Sequence, residues 1–510
     1  MKKSSLITLP ALGIAAVTAN AQQTPNGYNI VFVFADQLRA DVLGYNGDTK
    51  AITPNIDRLA SESINFTNCV TNYPVSAAYR ASLLTGKYTS STGMIINEIN
   101  MNPNHRTIAH VLNDAGYKNA YIGKVHLNDG YRRPYLKGPE RLGFDDFWSC
   151  YTFNHHSFDA FYSDENDKFV DIKGQYDSDV FTQMAEDYMA KKVEAGENFN
   201  LVLSWNPTHD PWARYNVLDR CYEKFKDVQF DLPENFKEEI DQHMDRFPGE
   251  FIENGTKWKE SWIRGGGYQE TMRCYYAMVN SIDEQVGRIM DCLDRLGIAD
   301  NTILVFTSDH GEQFSSQGRM YKLIFYEESA HMPLLVRYPG CKGGTVCDAC
   351  IGTPDLAPTL IGAVGHHDMI PAEMEGDDLS FLLRGEKGKE PEFTLLQGMG
   401  HTHLWKDGFE WRAVRDKRYT YAKYLVDGEE LLFDRLKDPY EKVNLASDKK
   451  YRRVMKLMRK RMAAKMEEIG DEFHTCTWYR DHWMYKGFSI KAAAHGEFGP
   501  LPPLEPNRTR

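Results

Sequence analysis

The chain has 510 residues, more than one minimal core needs, so one large or two unequal domains are expected. A hydrophobic fraction of 42% and an aromatic fraction of 12% suit a packed globular protein, while a net charge of −12 excludes a nucleic-acid binder and a polybasic membrane-surface protein. An anionic ligand must then be held by a local basic pocket, because the overall field repels it.

The first 21 residues have the form of a signal peptide: Lys2 and Lys3, an apolar run over 6–17, and Ala19-Asn20-Ala21 as a small-residue cleavage site. No cysteine lies near the cut, which argues against a lipoprotein anchor, and no later run reaches the roughly 18 apolar residues of a membrane span. An exported protein without a membrane anchor is expected, periplasmic first and secreted as the alternative. The nine cysteines include one Cys347-x-x-Cys350 pair and no second pair, so a loop disulfide or free thiols are expected there rather than a zinc site.

In chain order, Asn29 to Phe34 is a continuous apolar run of the buried parallel-strand type, ending at Ala35-Asp36-Gln37. In open α/β sheets ligands sit beyond the carboxyl ends of such strands, which places Asp36 and Gln37 for function. Thr53 to Ala60 opens a helix with Pro54 in its first turn. Pro74 to Lys87 predicts another helix, with Ser76 as N-cap, Ala77, Ala81 and Leu84 on one face, and Gly86 as its stop. Arg80 lies one turn beyond Ser76, so its guanidinium is expected beside the Ser76 hydroxyl. Alone, the stretch is a capped surface helix; a hydroxyl and an arginine at a helix N-terminus also suit an anionic or metal-bound oxygen.

Residues 106–115 form an amphipathic pattern, and Asn119 to Gly123 a short strand that delivers Lys124 and His126. The stretch 129–175 reads as a long irregular insertion of functional type. A helix over 176–195 precedes a second buried strand, Phe199 to Trp205, which ends in Asn206-Pro207-Thr208-His209-Asp210-Pro211. Residues 213–265 read as a polar insertion with little core signal. A long helix over 268–296 leads to a third strand, Thr302 to Thr307, ending at Ser308-Asp309-His310-Gly311-Glu312, and a fourth follows at 333–338. Strands alternating with helices predict a mainly parallel α/β sheet covered on both faces. Beyond about residue 385 the rhythm changes to hairpin strands at 412–415 and 419–422, a third at 430–434, and a charged helix over 448–468. The expected division is a catalytic domain over 22–385 and an α+β subdomain with an antiparallel sheet over 386–510.

Ser76-x-Ala78-x-Arg80, followed by Ala81-Ser82-Leu83-Leu84-Thr85-Gly86, resembles the signature of the type I, arylsulfatase-like sulfatases. Gly123-Lys124-Val125-His126-Leu127, the 206–211 loop and Lys322-Leu323-Ile324-Phe325-Tyr326-Glu327-Glu328-Ser329 resemble that family's Gly-Lys-Trp-His-Leu, Pro-His-x-Pro and Lys-x-x-x-Tyr-Glu-Glu-Ser elements. The match runs across nearly the whole chain beyond the leader, and it implies an alkaline-phosphatase-like fold. It further implies that Ser76 is oxidised to formylglycine by a dedicated serine-type maturase, and that Asp36, Gln37, Asp309 and His310 hold one Ca²⁺ together with the modified Ser76. An imidazole is a poor calcium ligand, so contact with the sulfate or the modified residue stays open for His310. By the same resemblance, Arg80 holds the hydrated aldehyde, Lys124 sits on the sulfate and His126 is the base for the aldehyde hydrate. His209 protonates the leaving oxygen, and Lys322 bridges it to the sulfate. The chain departs from the commonest pattern in carrying Ser76 for Cys, Ala78 for Pro, Gln37 for Asp, Val125 for Trp, and an inserted Thr208.

Export, a serine-type site and long insertions resemble carbohydrate sulfatases of polysaccharide-degrading bacteria. The run from Gly123 to Pro134 and Leu142 to Trp148 resembles a subgroup acting on sulfated galactose-type sugars at O4. Arg132, Arg133, Asn154, His155 and His156 are the candidate sugar contacts, since such loops rim the pocket. Two other classes compete. A phosphate or phosphonate monoester hydrolase of the same superfamily would carry a richer His/Asp set for two zinc ions. A catalytically silent glycan-binding relative would have no need of Lys124, His126, His209, Asp309 and Lys322 together.

Overall fold

The computed structural model describes residues 27–97, 99–128, 138–152, 154–166, 168–244, 262 and 264–490. The leader, Arg132 and Arg133 lie outside the described residues. Among the described residues, twelve strands precede residue 353: β1 (Asn29–Ala35), β2 (Ile64–Phe66), β3 (Cys69–Val70), β4 (Lys118–Lys124), β5 (Phe147–Tyr151), β6 (Phe161–Ser163), β7 (Phe169–Asp171), β8 (Phe199–Trp205), β9 (Thr302–Ser308), β10 (Leu334–Arg337), β11 (Thr345–Cys347) and β12 (Ile351–Gly352). Ten of them form one sheet in the order β11-β2-β10-β9-β1-β8-β4-β5-β6-β7, and β3 pairs with β12 apart from it. The centre is parallel, with β1 between β8 and β9 and β4 beside β8. β10 runs antiparallel to β9 and β2, a direction that an apolar run in a sequence does not encode.

The unbroken apolar run of β1 follows from burial on both sides. After the helix α1 (Pro54–Glu62) comes α2 (Ser76–Thr85), around which Ile30, Phe32 and Phe34 enter one core with Val75, Ala77 and Ala81. Val31, Val33 and Ala35 enter another with Tyr275, Met278 and Ile282 of the helix Gly267–Arg295. The parallel centre sends the carboxyl ends of β1, β4, β8 and β9 to the same side, where the candidate site forms.

The C-terminal sheet is antiparallel, in the order β13 (Phe393–Gly398), β14 (Trp411–Asp416), β15 (Tyr419–Tyr424), β16 (Glu430–Asp434). Leu395, Val414, Tyr421 and Leu432 pack on Met455, Met458 and Met462 of the helix Arg452–Ile469. The alternate residues Leu396, Ala413, Ala422 and Phe433 pack on Ile324, Phe325 and Tyr326, next to Lys322.

Several expectations need correction. Within 129–175, β5, β6 and β7 extend the main sheet rather than forming an irregular loop. Within 213–265, Val217, Cys221, Phe225 and Phe230 enter the core beside the helix Gly267–Arg295, so that segment is more than a polar insertion. The C-terminal sheet has a further strand, β13, ahead of the three expected ones. Of the two outcomes expected for Cys347 and Cys350, a loop disulfide or free thiols, the structure has the free thiols, as for the other seven cysteines. Ser76 is the first helical residue of α2 rather than its N-cap; Val75 takes the cap position, with no side-chain capping bond. Gly86 ends the helix as expected, in the left-handed conformation.

Candidate active site

Asp36 and Gln37 follow β1, Asp309 and His310 follow β9, Lys124 closes β4 with His126 two residues on, and His209 lies on the loop after β8. Ser76 and Arg80 come from the first turns of α2, and Lys322 from the loop between β9 and β10. All ten residues are at most 5% exposed.

Asp36 is the hub. Its Oδ2 accepts from Lys124 Nζ at 2.7 Å and from Arg80 Nη2 at 3.0 Å, and its Oδ1 accepts from Ser76 Oγ at 3.3 Å. Arg80 is thus expected beside Ser76 but meets it through Asp36, and its other nitrogen donates to Tyr121 Oη, Lys124 O and Ser204 Oγ. Burial works against the Asp36 carboxylate, yet Lys124, with the Arg80 and Lys322 cations behind it, holds its carboxyl well below the usual range. Burial, and then the neighbouring Asp36 charge, pushes Asp309 up to about 7.

Two tautomers follow from hydrogen-bond logic. His310 Nδ1 lies 3.0 Å from the Gly311 carbonyl, which only accepts, so the proton sits on Nδ1 and Nε2 presents a lone pair 3.0 Å from Ser76 Oγ. His209 Nδ1 likewise faces the Asp210 carbonyl at 3.0 Å, while the Lys322 ammonium donates to His209 Nε2 at 3.2 Å. Lys322 also donates to Gln37 Oε1 at 2.8 Å. Burial, with Lys322 and then His155 adding to it, holds His209 neutral; burial, with Lys124 and then Arg80, does the same for His126.

The backbone is bent to make this arrangement. Gln37, His126, Tyr321 and Leu323 all have positive φ, between 46° and 74°, and such costly conformations concentrate at functional sites. Gly123, at φ 97°, lies where a Cβ would sit 2.0 Å from Ser204 O, so only glycine lets β4 deliver Lys124 and His126 against β8.

The donors suit a divalent cation. Ligand atoms of Asp36, Asp309 and His310 lie within 4.8 Å of one another. Asp309 Oδ2 is buried without a hydrogen-bond partner among the described residues, and its nearest charge is Arg80 Nη2 at 3.6 Å. Two buried carboxylates and an imidazole lone pair converging there form an acceptor-rich point that a cation satisfies.

Of the candidate sugar contacts, the structure brings His155 in: its ring stacks on His209 at 4.2 Å. Asn154 spends its amide on the carbonyls of His156 and Asp159 within its own loop, and His156 is exposed beside Tyr215. Sequence reasoning missed Tyr121, Ser204 and Glu312, which brace Arg80 and Gln37; Glu312 accepts from Gln37 Nε2 at 2.6 Å. No motif marks the first two, because each merely occupies an inward position of β4 or β8.

The Sulfatase family model matches residues 28–366, and the model for the C-terminal part of N-sulphoglucosamine sulphohydrolase matches 316–468. An ulvan-active sulfatase of Formosa agariphila is 32% identical over 474 residues, covering 92% of this chain and 86% of that protein. An endo-4-O-sulfatase of Bacteroides thetaiotaomicron is 29% identical, covering 92% and 97%. Among solved structures, yidJ of Bacteroides fragilis superposes with a TM-score of 0.76 at 30% identity, covering 89% of this chain and 98% of that one. A phosphonate monoester hydrolase of Agrobacterium radiobacter shares the fold at a TM-score of 0.66 and 19% identity. The chain belongs to the sulfatase family of sulfuric ester hydrolases.

Proposed function

We propose that this enzyme removes sulfate from a sulfated carbohydrate, using a formylglycine made from Ser76 and one bound Ca²⁺. The single observation that carries the reading is the buried trio Arg80, Lys124 and Lys322 gathered around Asp36 and Ser76 in a protein whose net charge is −12. Three desolvated cations at one point, against the sign of the whole molecule, are what a sulfate monoester requires. The named activities of the relatives, on ulvan and as an endo-4-O-sulfatase, support a glycan substrate, and the second supports sulfate at O4; the galactose-type sugar rests on the resemblance of the Gly123–Pro134 run alone.

Asp36, Gln37, Asp309 and His310 would hold the cation, which supplies a Lewis acid beside the sulfate. The formylglycine would supply a hydrated aldehyde as nucleophile in place of the Ser76 hydroxyl. The chain's own residues do the rest. Arg80 and Lys124 fix the Asp36 carboxylate and leave a positive surface at the foot of α2. Lys322 and His209 share one proton through their 3.2 Å contact, with Lys322 as donor. Their role is to deliver that proton to the departing alcohol, with His209 as the group that protonates it and Lys322 bridging that oxygen and the sulfate. His126, held neutral by burial and by Lys124, is the base that clears the nucleophile for the next turnover.

A serine-type maturase is the implied partner, and export with loss of residues 1–21 the implied route. No described helix is long and apolar enough to cross a membrane. The test is released sulfate from a panel of ulvan, carrageenan and chondroitin sulfate oligosaccharides, using enzyme co-expressed with a serine-type maturase. Release from at least one member is expected; release from none, with turnover of a phosphonate monoester instead, overturns the reading.

A further inference from the structure

The segment that follows His209 lines a cavity of about 520 Å³, bordered among others by Phe158, Arg214, Tyr215, Leu218 and Arg220. That is within the roughly 300–1,000 Å³ of small-molecule sites. Three observations join it to the catalytic cluster. The segment 209–215 runs from His209 directly to Tyr215. Asn216 Nδ2 donates to the carbonyls of His155 (3.0 Å) and Pro211 (3.2 Å), and its Oδ1 accepts from Ser157 N at 2.7 Å. His155 in turn stacks on His209. Buried Asn216 therefore locks the cavity wall to the loop that touches the proposed proton donor.

The wall has the chemistry of a sugar site. Tyr215 is 63% exposed, unusual for a large aromatic ring, and its neighbour His156 offers a second exposed ring at 6.0 Å. A flat aromatic face packs on the C–H face of a pyranose while the sugar hydroxyls stay in water. Arg214 lies against the Tyr222 ring at 4.3 Å and pairs with Asp219 on the rim; Asp219 is 87% exposed, so the pair opens readily to a ligand anion.

We propose that this cavity binds the sugar next to the one bearing the scissile sulfate, with its ring stacked on Tyr215 and its sulfate or carboxylate facing Arg214. The inference rests on the carbohydrate reading above. It makes the enzyme a reader of oligosaccharides, with affinity drawn from a ring that is never desulfated in that turnover.

The test compares kcat/KM for monosulfated galactose, N-acetylgalactosamine and rhamnose with kcat/KM for carrageenan, chondroitin sulfate and ulvan tetrasaccharides, in the matured wild type, Tyr215→Ala and Tyr215→Trp. In the wild type the tetrasaccharide of the competent series is preferred. Tyr215→Ala lowers the tetrasaccharide-to-monosaccharide ratio about fivefold to tenfold, mainly through KM, and Tyr215→Trp keeps it. Sulfate release with the same ratio in wild type and Tyr215→Ala overturns this inference and leaves the carbohydrate reading standing. Release from no member overturns the carbohydrate reading, and this inference with it.

Discussion

At the scale of single residues, Asp36 organises the site and Lys124 is its closest cation. Removing Lys124 deletes one of three positive charges from the point where sulfate is proposed to sit. Lys124→Ala is expected to lower the rate of sulfate release by on the order of 10²–10³ while the circular dichroism spectrum stays native. A near-wild-type rate would take Lys124 out of the mechanism. Ser76 shows how far a sequence carries such an argument. Its motif identified the position, but its part in the helix was misjudged, because a residue at the first helical position and a true N-cap look alike in one dimension. Since Ser76 does not cap α2, Ser76→Ala carries no capping penalty. His155 was legible only as one of several loop residues; its stack on His209 is a tertiary fact with no local signature.

At the scale of elements, the C-terminal sheet props up Lys322. Trp411 Nε1 of β14 donates to Leu323 O at 3.0 Å, and Phe325 packs edge-on against the same indole at 5.2 Å. Trp411→Phe leaves that buried carbonyl unsatisfied, at a cost of about 1–3 kcal/mol, and frees the Lys322 loop. Steady-state kinetics of the variant should show a several-fold loss in kcat, larger than any change in KM; an unchanged kcat would separate the sheet from the site. The same sheet holds a buried ion pair, Arg412 with Asp471, both 0% exposed and bonded twice at 2.5 and 2.8 Å. Burial opposes the Asp471 charge, but Arg412 holds its carboxyl below the ordinary value of 3.8. As the pH falls through 3.8 the unfolded chain takes up a proton that the folded one resists, so stability is lost towards acid and is full above that value. Asp471→Asn should cost about 3–5 kcal/mol at neutral pH and flatten the acid limb of the melting temperature against pH. A variant with the wild-type acid limb would place the acid sensitivity elsewhere. The central parallel strands and the β14–β15 hairpin were legible, because continuous apolar runs and turn residues are local signals. The edge strands β5 to β7 were not, since short, aromatic, half-buried strands share their composition with loops.

At the scale of the whole molecule, the fold spends its parallel centre on bringing four strand ends and one helix start together. Asp309 Oδ2 has no hydrogen-bond partner among the described residues, and His310 Nε2 turns its lone pair towards the Ser76 hydroxyl beside it. A tightly held divalent cation should therefore stabilise the folded protein, by about 2.7 kcal/mol at a hundred times its Kd. Dialysis against EDTA is expected to lower Tm, and Ca²⁺ to restore it with one ion per chain by elemental analysis. A Tm indifferent to both would remove the metal from the account. The family was legible across the chain because its motifs sit at strand ends whose order the fold preserves; the sugar was not, because it is read by loops.

The central claim is that Ser76 is a precursor, and peptide mass spectrometry of the active enzyme tests it most directly. After co-expression with a serine-type maturase, the peptide spanning Ser76 is predicted to lack two hydrogens, with sulfate release rising in proportion to the modified fraction. A peptide carrying plain serine in an enzyme that releases sulfate at full rate would contradict it.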